Sequence, residues 1–247
     1  TDYTNFGMTG MLDIGSRELN QEMLSLLNLR ASQFPELGSA FEIAYPIQTD
    51  IRQQINLDYE LPVYFAGNDQ TSSASGAGVK NIGDVSVNLG TAMVFFTLIE
   101  TPVEQLIESQ IVGIDPIRDQ FFFLSYEKDF GSKIQNLKQA FFREKSYDEM
   151  FAAYYHSKKE NATIEQELSS DVEQVIDYYI KRFKYHLAEI ESKVTPKVIY
   201  VSGGVAQSPM WIKILQQNCK YELMTNIQQE AGIIGAARIY AEKKKTL

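Results

Sequence analysis

The sequence predicts an α/β layer fold in which a mixed sheet is flanked by helices. Residues 85–125 contain four short runs rich in β-branched and aromatic residues, which is typical of antiparallel strands. Beyond residue 130, helical spacing alternates with single short β-branched runs, which favours helices packed on added strands. The chain has 247 residues, of which 44% are hydrophobic, and could form one large domain or two small ones.

The first 60 residues have a mixed pattern. The opening stretch of 1–14 alternates like a sheet edge and predicts a strand at 11–14. Helical spacing predicts a helix at 19–27, a turn follows at 34–37, and 41–47 predicts another strand. The chain starts at Thr1 rather than at Met, which we interpret as the start of a fragment.

The pattern becomes regular after residue 60. Residues 63–66 predict a buried strand that ends close to a lone acid, Asp69, and 72–78 predict a short helix. Residues 85–89 and 92–99 predict a hairpin with a tight turn at Gly90-Thr91. Two more strands are expected at 110–114 and 120–125.

The second half is dominated by helices. Apolar residues at three- and four-residue steps predict helices at 132–142, 147–155 and 171–192. Pro196 ends this region, and a strand at 198–201 runs into Ser202-Gly203-Gly204. A helix from Ser208 or Pro209, a strand at 221–224 and a closing helix at 229–243 complete the expected elements.

Composition excludes several classes of function. A formal net charge of -9 disfavours nucleic acid or an anionic membrane surface as a partner, because binding a polyanion needs a basic patch. The single cysteine, Cys219, excludes an internal disulfide, and we interpret it as a small buried residue. We expect His156 and His186 on solvated helix faces, and no cluster of Cys and His predicts zinc. No run of 18 apolar residues is found, and the cytoplasm is the expected compartment.

Asp69 is the first candidate for chemistry. A carboxylate beside a cleft can take the proton of a hydroxyl as that hydroxyl attacks a phosphate. The neighbouring Asn68 and Gln70 could hold further hydroxyls of the substrate. The alternative is a turn residue whose carboxylate accepts hydrogen bonds from its own backbone.

Three further segments contain small residues where backbone could approach a ligand. The Gly90-Thr91 turn could offer N–H groups and a hydroxyl to a phosphate, or it could be only a turn. Gly203-Gly204 follows a strand and precedes a helix, as in some nucleotide-binding sheets. The small residues of 230–237 could pack a helix closely against a ligand or simply against a neighbouring element.

Taken in order, the segments GNDQ, NLGTA, GSKIQ, VSGGVAQS and EAGIIGAAR resemble the C-terminal half of the FGGY carbohydrate kinases. The resemblance implies an RNase H-like domain of the actin/Hsp70-like ATPase type. It further implies ATP, Mg²⁺ and a sugar or polyol in a cleft between two domains. By the same resemblance, residues 1–60 would be a connecting segment and 61–247 the C-terminal nucleotide-binding domain. The N-terminal domain, the opposite wall of the cleft, would be a missing partner.

The resemblance also implies residue roles. Asp69 would be the catalytic base, and Gln70 would contact the substrate. The nucleotide would be contacted by Gly90, Thr91, Gly131, Gln135, Gly203, Gly204, Ser208, Ala231 and Gly232. The chain departs from the family pattern in two places, because some members have Asn at Ser208 and most have a longer segment than the acidic, polar 146–170.

Three functions are compatible with these patterns. The first is an ATP-dependent kinase of a sugar or polyol, with a xylulose-type ketose as the expected substrate. The second is a non-catalytic nucleotide-binding or regulatory protein of the same fold, and the third is an actin-like scaffold. A homodimer is compatible with the sequence.

Overall fold

The chain folds around a six-stranded mixed sheet. The computed structural model describes residues 1–42, 44–118, 120–159, 170–225 and 230–246. The strands of this sheet are β5 (Asp84–Leu89), β6 (Met93–Ile99), β7 (Gln110–Ile114), β8 (Phe121–Glu127), β9 (Val198–Ser202) and β10 (Leu223–Thr225). Two small antiparallel sheets are formed by β1 (Leu12–Asp13) with β2 (Glu18–Leu19), and by β3 (Ala44–Pro46) with β4 (Pro62–Tyr64).

Helices cover both faces of the main sheet. In chain order they are α1 (Tyr3–Gly7), α2 (Gln21–Leu26), α3 (Thr49–Gln54), α4 (Asp69–Ala77), α5 (Phe130–Phe141), α6 (Tyr147–Lys159), α7 (Ser170–Glu191), α8 (Pro209–Gln217) and α9 (Ala231–Thr246). Two short 3-10 helices lie at Ala31–Gln33 and Val205–Gln207.

The order of the strands places several strand ends together. The sheet runs β10-β9-β5-β6-β8-β7, with β10, β9 and β5 parallel and the remaining pairs antiparallel. Asn88 of β5 pairs with Ser202 of β9, and Met93 of β6 pairs with Glu127 of β8. The carboxyl ends of β5, β8 and β9 therefore lie at one edge of the sheet, here called the carboxyl edge. This is the edge where open α/β sheets bind ligands.

The larger core lies between the sheet and helices α5 to α8. Fully buried aromatic side chains fill it, among them Phe95, Phe130, Phe151, Phe183 and Trp211. On the other face, Ala74 and Val79 pack against Phe96 and Phe122 in a second core. Successive side chains of a strand point to opposite faces, so the buried residues of β6 contribute to both cores.

Helices α4 and α9 cross at very short range on this second face. A Cβ added to Gly76 would lie 1.8 Å from the carbonyl oxygen of Ala231, and one added to Gly235 would lie 1.6 Å from that of Ser72. Arg238 donates from its guanidinium to the carbonyl oxygens of Ser75 and Gly76 at 3.0 and 2.9 Å. The small residues of 230–237 thus serve close packing of two helices, one of the two readings left open above.

The N-terminal part corrects three predictions. Residues 3–7 form α1 rather than a sheet edge, because the carboxylate of Asp2 caps the helix by accepting from the N–H groups of Thr4 and Asn5. The strand at 63–66 is a short, largely exposed β4 rather than a buried strand. Asp69 is the first residue of α4, three residues before the predicted start of that helix, and so does not end a strand.

Two further predictions concern later residues. His186 is fully buried, so the expectation of a solvated position is wrong, whereas His156 is exposed as predicted. The acidic segment predicted at 146–170 falls in part on 160–169, which lie outside the described residues. Among the described residues, no helix has the length and apolar character needed to cross a bilayer.

Candidate nucleotide site

The turn between β5 and β6 lies at the carboxyl edge and is held in place by α5. The Gly90 N–H donates to the carbonyl oxygen of Ala92 at 3.1 Å, which closes the turn. The Gly131 N–H, at the start of α5, donates to the carbonyl oxygen of Thr91 at 2.9 Å. The Thr91 side chain is exposed. The turn is therefore fixed by its backbone while its hydroxyl faces solvent, an arrangement suited to binding an anion.

Two glycines allow neighbouring backbone segments to approach this turn. A Cβ on Gly131 would lie 2.4 Å from the carbonyl oxygen of Gly90. Gly203 has a φ of +97°, and a Cβ there would lie 2.6 Å from the carbonyl group of Leu89. Both distances are far below a van der Waals contact, so any larger residue would push the segments apart. The structure thus brings together three predicted nucleotide segments: the Gly90-Thr91 turn, Gly131 and Gly203.

Two other predicted nucleotide residues border this cluster. A Cβ built on Gly204 meets nothing within 4 Å, so the space beside it is open. Gln135 lies one helical turn after Gly131 on α5 and is exposed. Both residues are placed where a ligand at the carboxyl edge could reach them.

Ser208 is a buried helix cap in this structure. Its hydroxyl accepts from the Trp211 N–H at 3.2 Å and donates to the Asp148 carboxylate at 2.7 Å. The same carboxylate accepts from the Met210 N–H at 2.8 Å. The contacts tie α6 to the first turn of α8. Asp148 gave no signal in the sequence, because the partner of a cap can come from any distant element.

Ala231 and Gly232 lie against α4 rather than against the Gly90-Thr91 turn. The Ala231 carbonyl borders Gly76, as described above, and a Cβ on Gly232 would lie 3.6 Å from the Ser73 hydroxyl oxygen. The latter is an ordinary contact distance. The predicted nucleotide contacts Ala231 and Gly232 therefore lie at the crossing of two helices.

Asp69 occupies the first turn of α4 with an exposed side chain. The preceding Asn68 caps the helix by accepting from the Thr71 N–H at 2.8 Å. The Asn68 N–H in turn donates to the Thr4 hydroxyl at 2.7 Å, which anchors this end of α4 on α1. A negative charge is stabilised at the positive end of a helix. Gln70 lies beside it and is half-buried.

The structure places Asp69 apart from the Gly90-Thr91 turn. Gly67, just before α4, has a φ of +88° and borders Pro116, to whose Cβ an added Cβ would come within 3.3 Å. Pro116 lies in the connection between β7 and β8, next to the pair formed by Ile114 and Phe121. The strand register puts that connection at the sheet end opposite the carboxyl edge. The predicted base, Asp69, and the predicted phosphate turn thus lie near opposite ends of the main sheet.

A resident metal site is not evident in the part of the chain that the structure describes, where no group of three His, Cys, Asp or Glu side chains could hold an ion. Mg²⁺ in phosphoryl-transfer sites keeps several waters and is bound largely by the phosphates of its substrate.

The mixed sheet, with helices on both faces and glycine turns gathered at its carboxyl edge, is the actin/Hsp70-like ATPase fold. Xylulose kinase from Lactobacillus acidophilus superposes on all of this chain with a TM-score of 0.83 at 18% identity, and the match covers 56% of that structure. Glycerol kinase from Plasmodium falciparum, solved with ADP, gives a TM-score of 0.79 at 15% identity over 100% of this chain and 55% of that one.

Two sequence comparisons match part of the chain. The family model described as the N-terminal domain of the FGGY family of carbohydrate kinases matches residues 1–76. Xylulose kinase from Klebsiella pneumoniae is 27% identical over 100 residues, which are 40% of this chain and 20% of that protein. This chain therefore resembles the FGGY family of carbohydrate kinases in its first 76 residues. It spans a little over half the length of the solved relatives.

The match to the N-terminal domain runs through Gly76 and includes Asp69. The division at residues 60 and 61 stays a prediction.

Proposed function

We propose that this chain supplies the catalytic base and much of the ATP site of a kinase that phosphorylates a sugar or polyol hydroxyl. The observation that carries the proposal is the convergence of Gly90-Thr91, Gly131 and Gly203 at the carboxyl edge. The similarity of residues 1–76 to the N-terminal domain of the FGGY carbohydrate kinases, and of 100 residues to a xylulose kinase, supports it.

The turn would act on the phosphates of ATP. In phosphoryl transfer, negative charge spreads over the oxygens of the transferred group, and fixed donors aimed at those oxygens lower the barrier. The Thr91 hydroxyl is such a donor, and its backbone is held by the bond from Gly131. Gly204 leaves room for the nucleotide, with Gln135 at the border of the site. Mg²⁺, bound with ATP, would neutralise charge on the phosphates.

Asp69 would accept the proton of the attacking hydroxyl. Its carboxylate is exposed at the start of α4, and Gln70 lies next to it to hold another hydroxyl. Since Asp69 lies apart from the phosphate turn, transfer would require closure of a cleft that brings the two together. Such closure is a common step in kinases and excludes water from the reaction.

A xylulose-type ketose is the substrate we propose first. Its support is the Klebsiella pneumoniae relative, a xylulose kinase, together with the Lactobacillus acidophilus structure of the same name. A gluconate kinase from Lactobacillus acidophilus, with a TM-score of 0.83 at 16% identity, and the glycerol kinase are similar in fold, so gluconate and glycerol belong in the same test.

The test is ADP release with ATP and each of these three substrates, comparing the wild type with Asp69→Asn. We expect turnover on one of them and a loss of about 10²- to 10⁴-fold in the variant, the usual contribution of a positioned base. Asp50→Asn is the matched control, because Asp50 is also an exposed acid in the first turn of a helix, α3. Equal turnover in Asp69→Asn and Asp50→Asn would contradict the assigned role.

A non-catalytic nucleotide-binding protein of the same fold is the second candidate. The separation of Asp69 from the phosphate turn favours it, because a binding protein needs no closure. Calorimetric titration with a non-hydrolysable ATP analogue distinguishes the two. Binding without turnover on any of the three substrates would support this second function.

A further inference from the structure

A polar network with a buried centre and a partly exposed edge lies behind the phosphate turn, on the side facing α7. It consists of Ser125 and Glu127 on β8 and of Tyr178, Arg182 and His186 on α7, and is here called the Glu127 network. The Ser125 hydroxyl oxygen lies 2.7 Å from His186 Nδ1, and both residues are fully buried. No substrate could reach this Ser–His pair, so we do not interpret it as hydrolytic.

Glu127 is the centre of the network. Its carboxylate accepts from the Tyr178 hydroxyl at 2.8 Å and from Arg182 Nε, and it lies 3.4 Å from His186 Nε2. Burial alone would raise the pKa of Glu127, but the hydrogen bonds from Tyr178, Arg182 and His186 hold that pKa below its ordinary value. The carboxylate is therefore ionised at neutral pH, and it fastens the end of β8 to α7 with charge-assisted bonds.

The position of Glu127 connects it to both halves of the phosphate turn. Glu127 is the last residue of β8 and pairs directly with Met93, two residues after Thr91. It also precedes the short connection that leads to Gly131 at the start of α5. A displacement of the Glu127 backbone would therefore move both partners of the hydrogen bond between the Gly131 N–H and the Thr91 carbonyl oxygen.

The connection itself is strained and held by α7. Asp129 has a φ of +59°, a conformation that costs a residue with a side chain about 1 kcal/mol or more. The Tyr179 hydroxyl donates to the Asp129 carbonyl oxygen at 3.5 Å, and its ring packs edge-on against Phe130 at 5.0 Å between centroids. Strain of this kind persists only where surrounding contacts fix the conformation.

We propose that Glu127 is a positioning residue for the nucleotide site. By anchoring the end of β8 on α7, it sets the conformation of the connection and thus holds Gly131 against Thr91. The inference rests on the proposed function, in which the Gly90-Thr91 turn binds the phosphates of ATP.

The test compares Glu127→Gln with Glu189→Gln. Glu189 is a matched control, because it also lies on α7 and accepts a bond from a strand, from Gln110 on β7. Hydrogen–deuterium exchange of residues 128–134 is measured without ligand, and the Kd of a non-hydrolysable ATP analogue by calorimetry. We expect Glu127→Gln to speed exchange in this segment and to weaken binding by about tenfold. Glu189→Gln should change neither.

Tyr178→Phe keeps the proposal testable if Glu127→Gln does not fold. This substitution removes one of the hydrogen bonds that the Glu127 carboxylate accepts, and Tyr178 is largely exposed. We therefore expect a smaller increase in exchange and a smaller loss of binding. Unchanged exchange and unchanged Kd in both variants would overturn the proposal. If the wild type binds no nucleotide, the proposed function fails, while the exchange of residues 128–134 still decides whether Glu127 positions Gly131.

Discussion

Gly203 and Gly204 are neighbours in the chain but have different surroundings. Gly203 combines a φ of +97° with a carbonyl group 2.6 Å from the site of an added Cβ. Gly204 has a φ of -62° and open space in the direction of its Cβ. The two positions therefore separate the effect of backbone conformation from the effect of adding a methyl group.

We expect Gly203→Ala to lower the free energy of unfolding by about 1–3 kcal/mol, because it strains the backbone and pushes β9 away from β5. Gly204→Ala should leave stability unchanged or raise it slightly, since Ala restricts the unfolded chain. Urea denaturation of both variants checks this. Equal stabilities would show that the close approach at Gly203 is not maintained in solution.

His186 predicts the pH dependence of stability. Burial lowers its pKa below 6.5, Arg182 lowers it further, and the carboxylate of Glu127 raises it in part. The unfolded chain therefore binds a proton at a higher pH than the folded chain. The contribution of His186 to the free energy of unfolding is therefore fully present above about pH 6.5. It is lost as the pH falls through the pKa of His186 in the folded state, which is the lower of the two pKa values.

Unfolding free energies measured between pH 7.5 and 5 should fall for the wild type. His186→Gln should flatten this part of the profile, although it will also lower stability at pH 7.5 because it disturbs a buried site. His156→Gln is the control, since His156 is exposed on α6. A profile that His156→Gln flattens as much as His186→Gln would contradict the assignment.

Among the elements, helix α9 shows how small residues determine a crossing. Gly235 faces the Ser72 carbonyl, whereas Gly232 faces the Ser73 hydroxyl oxygen at an ordinary 3.6 Å. We expect Gly235→Ala to destabilise the fold by about 1–3 kcal/mol through overpacking. Gly232→Ala should be neutral or stabilising by up to about 1 kcal/mol, since Ala favours helix. Thermal unfolding measures both, and a stable Gly235→Ala would show that α4 and α9 can separate without cost.

Helices and strands were predicted correctly where a periodic pattern of apolar residues extends over many residues, and incorrectly where the element is short. Strand β7 was predicted with its observed bounds, and α7 within one residue at each end, because its apolar face repeats over six turns. Helix α1 has five residues and depends on a side-chain cap by Asp2. A pattern of alternating residues cannot reveal such a cap, and α3, with no buried residue, has no apolar face to detect.

At the scale of the whole molecule, the sequence predicted the mixed sheet and the order of the glycine segments. It could not predict which segments meet, because this depends on strand order and on how helices cross. Gly203 reaches the Gly90-Thr91 turn because β9 lies beside β5, and Gly131 reaches it because β8 lies beside β6. Asp69 does not, because α4 crosses the other face and begins beside Pro116.

The crossing of α4 and α9 has a mechanical consequence. Helix α4, which carries Asp69, packs against α9, which lies more than 150 positions later in the chain. The backbones of the two helices are so close that a methyl group has no room between them. We therefore expect α9 to move with α4 in any motion that brings Asp69 towards a phosphate. Residues within 1–76, which match the N-terminal domain of the FGGY kinases, would then move together with residues far later in the sequence.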